Sequence, residues 1–286
     1  MKSKRFAKQN SIIIYFLLAF SFSWGLVGIL AGPGNIPINP EKSQELLPLL
    51  YLTMLVGPSF AGVLMIGLIE GKNGYRRLLS SFLKWRVKIW WYIFALFTTP
   101  LLALMILLIL SFLNPNFQFG FSNSDNIAAL FINGIIAGVV VGIFEEVGWT
   151  GFVIPRLNLR YNIITTGLIV GVLWGLWHFI LFWENDSFFK LLPLLILLGR
   201  LFTWLPPFRI VMVWVYNSTK SLLLTVLTHA SLVFTTTVIV PITLTGKDLL
   251  IWLVIWAGVL WIMTLIILRI IRKKKSMNDE RIIATG

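Results

Sequence analysis

Residues 127–154 read IAALFINGIIAGVVVGIFEEVGWTGFVI, a run that carries no charge except at Glu145 and Glu146, both well inside it. A helix rises 1.5 Å per residue, so about twenty apolar residues cross the hydrocarbon core of a bilayer. This run is long enough, and a carboxylate in its interior costs a few kcal/mol unless a partner or water meets it.

Working outward, further apolar runs fall at about 11–31, 47–69, 89–113, 163–183, 191–216, 221–240 and 249–271. The expectation is an all-α, polytopic transmembrane bundle of about eight spans, a single membrane domain over 1–286. Its motif-bearing core is at about 127–235 and its basic tail at 272–286. Composition agrees: 58% of the 286 residues are hydrophobic and 12% charged, with a mean hydropathy of +0.88, which excludes a soluble globular enzyme. The net charge of +13 suits anionic headgroups beside membrane spans better than nucleic acid. Cysteine is absent, which excludes disulfides, thiolate catalysis and Cys-based zinc sites.

The start, MKSKRFAKQN, resembles the basic region of a signal peptide. The apolar stretch behind it is long for a cleaved one and has no small-x-small site, so it reads as a first transmembrane helix. The sixth run holds Pro193, Arg200, Pro206, Pro207 and Arg209 and is expected to be broken or partly re-entrant. Counted by side, 19 Lys and Arg fall on one face of the bilayer and 3 on the other, with Arg200 and Arg209 inside the sixth run. The positive-inside rule then puts both termini in the cytoplasm. GKNGYRRLLSSFLKWRVKIWWY, 71–92, reads as an amphipathic stretch at the cytoplasmic interface. No internal repeat supports a secondary transporter.

Of 11 acidic residues only Glu145 and Glu146 lie deep in a span, and so do both histidines of the chain, His178 and His229. Counted from the cytoplasmic helix ends, Glu145, His178 and His229 lie at depths of roughly 14, 22 and 12 Å, which allows them to meet. Neighbouring helical residues point about 100° apart, so one glutamate faces the site and the other a neighbouring helix. Glu145 shares a face with Trp149, Glu146 with Thr150, Trp174 with His178, and His229 with Val233. A buried Glu can take a proton from water while His assists at a developing oxyanion or a leaving amine. Two imidazoles and a carboxylate (Glu145, His178 and His229) can instead hold a divalent metal such as zinc. Interhelical polar contact with no chemistry is the third possibility.

EEVGWTGFVIPRL (145–157), LWGLWHFILFW (173–183) and VWVYNSTKSLLLTVLTHAS (213–231) together resemble the three motifs of the CPBP family. That family comprises the type II CaaX prenyl proteases, the bacteriocin-processing and self-immunity proteins and the lysostaphin-resistance-like membrane proteins. The resemblance implies a multi-pass protein of a prokaryotic cell membrane that cleaves a membrane-associated or prenylated peptide. In it Glu145 is the base, Glu146 organises the site, and His178 and His229 orient water or hold the oxyanion. The metalloprotease label carried by some members keeps zinc a candidate. A non-catalytic adaptor or bacteriocin-immunity protein on the same scaffold is the alternative. Two positions depart from the motifs: Thr150 stands where an arginine is common, and Val233 where an asparagine is. Arg156, Arg200 or Arg209 is then expected to neutralise Glu146, unless Glu146 is protonated, and Ser231 or Thr235 to supply the missing donor.

Overall fold

The computed structural model describes residues 9–32, 36 and 40–285, all helix, turn and loop with no strand among them. The basic residues among 1–8, counted above to the cytoplasmic side, lie outside the described residues. In chain order the helices are α1 (Ser11–Ala31), α2 (Pro40–Glu70), α3 (Lys72–Phe82), α4 (Ile89–Ser111) and α5 (Ile127–Leu157). Then follow α6 (Ile163–Trp177), α7 (Phe179–Phe182), α8 (Leu191–Thr219), α9 (Leu222–Ile239) and α10 (Gly246–Thr285). Seven of these are long and apolar enough to cross a membrane: α1, residues Leu49–Glu70 of α2, α4, α5, α8, α9 and residues Gly246–Lys273 of α10. The chain is an integral, multi-pass membrane protein.

The fifth expected span departs from a plain helix. α6 has 15 residues and stops at Trp177, and after a turn at His178 the chain resumes as α7. The His178 ring supplies the cause. Its Nδ1 lies 2.8 Å from the Trp174 carbonyl, the acceptor that the His178 backbone N–H reaches only at 3.3 Å. The basic tail beyond Arg272 is helical, continuing α10 to Thr285.

The sixth span is broken, as its prolines predict, but it remains one path. Helical residues Leu191–Leu198 and Leu205–Thr219 are joined by a wide π turn at Gly199–Thr203. Pro206 and Pro207 have no N–H to give to the preceding turn. The Thr203 carbonyl takes the Trp261 indole N–H at 3.0 Å instead.

Lateral packing is set by small residues, which let helix backbones approach closely in a bilayer. On α5, Gly134, Gly138 and Gly142 form an i, i+4, i+8 stripe against α9, where an added Cβ at Gly138 would stand 2.5 Å from the Ala230 carbonyl oxygen. Gly167, Gly171 and Gly175 of α6 do the same against α8, with a Cβ at Gly175 meeting the Leu201 oxygen at 1.9 Å. Gly148 leaves room for the Tyr15 hydroxyl and the Pro58 carbonyl. These contacts bring the glutamates of α5 beside His229 of α9, and Trp174 of α6 beside Arg209 of α8.

At the basic end, α3 is tied down. Glu70 pairs with Arg77 at 2.9 Å and with Arg156, while Arg77 also donates to the Gly151 carbonyl at 3.2 Å. Beyond α3, Trp85 and Trp90 are exposed, as an interfacial belt requires.

Candidate active site

Glu145 and Glu146 occupy the last turn of the Ile127–Gly148 stretch of α5, directly before a π turn at Trp149–Val153. Both are buried, with 2% and 0% of their surface exposed. A π turn widens the helix by one residue, a feature frequent at functional sites. The predicted shared faces are realised: Trp149 Nε1 donates to Glu145 Oε2 at 3.1 Å, and the Thr150 hydroxyl donates to Glu146 Oε2.

The two carboxylates then part company. Glu146 is saturated. Arg209 Nη1 donates to its Oε1 at 2.8 Å and its Oε2 at 3.0 Å, and His229 Nδ1 meets Oε1 at 2.8 Å. Arg209 is therefore the countercharge, supplied from α8 in place of the arginine missing at Thr150. Arg156 and Arg200, the other two candidates, pair with Glu70 and Glu184. Glu145 has a lighter coordination: its Oε2 also accepts the Trp174 indole N–H at 2.7 Å, and both bonds to it fall on that one oxygen.

Trp174 is the hub of the site. Its ring lies edge-on to His178 and to His229, with centroids 5.4 and 5.3 Å away, and the Arg209 guanidinium stacks 4.1 Å above its centroid. One indole thus touches both histidines, the base candidate and the countercharge of its neighbour. Sequence spacing had placed Trp174 on the face of His178, while its contact with Glu145, across two helices, had no signal in the sequence.

Tautomers follow from the partners. A carbonyl only accepts, so His178 Nδ1 carries its proton toward Trp174 and Nε2 is bare in the neutral ring. His229 Nδ1 faces a carboxylate that already accepts from Arg209, so it too is the donor, and Nε2 is left for other work.

Three expectations need correction or restriction. Ser231 is committed elsewhere: its Oγ bonds the Thr99 hydroxyl at 2.6 Å and donates to the Leu96 carbonyl at 3.0 Å. Thr235 likewise bonds back to the Ser231 carbonyl at 2.7 Å, as buried helical hydroxyls tend to do. Neither replaces the asparagine absent at Val233. Glu145, His178 and His229 do not form a zinc site either, since no group of three His, Cys, Asp or Glu side chains among the described residues is placed to hold a metal ion. Among the described residues of the site, three buried donor atoms lack partners: Trp177 Nε1, beside His178 at a centroid distance of 4.8 Å, and the Nε and Nη2 of Arg209.

Against known proteins, residues 126–235 match the family described as type II CAAX prenyl endopeptidase Rce1-like. The chain is also similar to CAAX prenyl protease 2 of Methanococcus maripaludis, with 29% identity over 131 residues, covering 45% of this chain and 48% of the relative. The aligned region therefore spans about half the length of that relative. The matched segment contains Glu145, Glu146, Trp174, His178, Arg209 and His229, so it is over the residues of the carboxylate site that the chain is similar to the Rce1-like family.

Proposed function

We propose that the protein is an intramembrane endopeptidase that hydrolyses a peptide bond near the end of a prenylated or otherwise membrane-associated substrate, in the cytoplasmic half of a prokaryotic cell membrane. The observation that carries this is the asymmetry of the two carboxylates. Glu146 is held by Arg209, His229 and Thr150, whereas Glu145 receives its two indole donors on a single oxygen.

Glu145 Oε1 takes a proton from water, and the bare Nε2 of His178 orients that water by accepting its other O–H. The water oxygen bonds to the scissile carbonyl carbon, and the carbonyl electrons move onto oxygen. With a proton on each ring nitrogen, His229 donates from Nε2 to that oxyanion. Collapse breaks the C–N bond, and the proton held by Glu145 passes to the leaving amine. Trp149 and Trp174 keep Glu145 in one orientation and exclude bulk water, which strengthens each of these interactions.

The test is cleavage of a farnesylated C-terminal peptide in proteoliposomes. Loss of a general base lowers turnover by about 10² to 10⁴, so Glu145→Gln is expected to fall in that range with its melting temperature kept. Wild-type turnover by Glu145→Gln would exclude the mechanism.

A second reading, a non-catalytic adaptor or bacteriocin-immunity protein on the same scaffold, is favoured by one observation. Ser231 and Thr235 are engaged elsewhere, and Val233 offers no hydrogen bond. Protection or partner binding that survives Glu145→Ala would select it.

A further inference from the structure

A groove of about 580 Å³ opens at the basic end of the bundle, between the turn joining α5 to α6, the end of α8 and the last membrane turns of α10. Asn158, Tyr161, Asn162, Asn217, Leu268 and Arg272 line it, and it shares no residue with the carboxylate site. Its chemistry is one-sided in charge and divided in hydrogen bonding. No acidic residue lines it, and Arg272 is exposed with no ion pair among the described residues. Arg269 and Lys273 stand on the same helix, and Arg160 precedes Tyr161 in the turn.

Deeper in, Asn158 Nδ2 donates to Asn217 Oδ1 at 2.8 Å, which leaves Asn158 Oδ1 buried without a donor. Such an acceptor carries a desolvation penalty until a donor reaches it. The α10 wall is apolar, with Leu268 and Ile271 half-buried. A fitting occupant must therefore bring an anion for Arg272, a hydroxyl for Asn158 and a hydrocarbon chain for the wall.

We propose that this groove is a binding site for an anionic phospholipid with a hydroxyl-bearing headgroup, of phosphatidylglycerol chemistry. The phosphate sits on Arg272, a headgroup hydroxyl donates to Asn158 Oδ1, and the acyl chains follow Leu268 and Ile271. Basic pockets between transmembrane helices on the cytoplasmic side take anionic headgroups in this way. The phosphate alone does not account for the buried acceptor, and that is why the hydroxyl is part of the assignment. The inference is independent of whether the protein cleaves peptides.

The experiment uses the full chain in phosphatidylcholine nanodiscs doped with equal fractions of phosphatidylglycerol or of phosphatidylmethanol, which has the same charge and no hydroxyl. Lipid retained per protein is read by native mass spectrometry. Phosphatidylglycerol is expected to be retained over both phosphatidylcholine and phosphatidylmethanol. Arg272→Gln, a change at an exposed position, should lower its retention about fivefold. Asn158→Leu should abolish the preference over phosphatidylmethanol; if that variant does not fold, the wild-type comparison of the two lipids decides the point. Equal retention of all three lipids, or unchanged retention in Arg272→Gln, overturns the proposal. Full displacement by soluble glycerol phosphate would also overturn it, by making the site one for a free phosphate ester.

Discussion

Arg209 has no surface exposed and its Nη1 bonds both oxygens of an equally buried Glu146. Removing one partner of such a pair strands the other charge, at about 3–5 kcal/mol. Arg209→Met is expected to lose stability on that scale in a detergent melt. Arg209→Met with Glu146→Gln should lose less than the sum of the single changes, with a coupling of at least about 1 kcal/mol; additive losses would show that the pair is not energetically joined. At this scale the sequence was informative wherever polarity was out of place. Glu145, Glu146, His178 and His229 stood out because each sits in an apolar run, and the i, i+4 rule found Trp149 and Thr150. It could not choose Arg209 over Arg156 and Arg200, because that choice depends on which helix lies beside α5. Nor could it discount Ser231 and Thr235, whose hydroxyls are claimed by α4 and by their own helix.

Helix packing governs whether those residues meet. Ala230, the residue after His229, lies so close to Gly138 that a methyl group there would stand 2.5 Å from the Ala230 oxygen. Gly138→Ala must therefore push α9 off α5 and draw His229 away from Glu146. Overpacking of this kind costs about 1–3 kcal/mol, and peptide cleavage should fall with it. Gly258→Ala, with nothing within 4 Å of the added carbon, is the matched control and should leave both unchanged. Equal melting temperatures for the two variants would contradict the close approach. The positions of the long helices were legible from the apolar runs, and the break in α8 from Pro206 and Pro207. The stop at Trp177 was not. Neither glycine nor proline marks it, and it accompanies a side-chain bond from His178 to the Trp174 carbonyl that only the folded site explains.

Over the whole molecule, the positive-inside count and the helix order make a joint claim about topology. α6 has only 15 residues, yet the charge distribution requires the chain to cross between Arg160 and Lys190. Together α6, His178 and α7 run from residue 163 to 182, about 30 Å if all helical, the thickness of the hydrocarbon core. The chain contains no cysteine, so single cysteines report on sidedness without background. Ser80, Ser122, Arg160, Asn185 and Lys247 are all exposed and suit this substitution. Cysteines at 122, 185 and 247 are expected to react with a membrane-impermeant maleimide added outside intact cells. Those at 80 and 160 should react only after permeabilisation. The decisive pair is 160 and 185. If both label from the same side, α6 and α7 form a re-entrant loop, and either the termini lie on opposite faces or another segment crosses in their place. If they label from opposite sides, His178 turns inside the bilayer on a segment that spans it. His178 and Glu145 would then be shielded from bulk water on both faces, the environment in which water activation by a carboxylate is most effective.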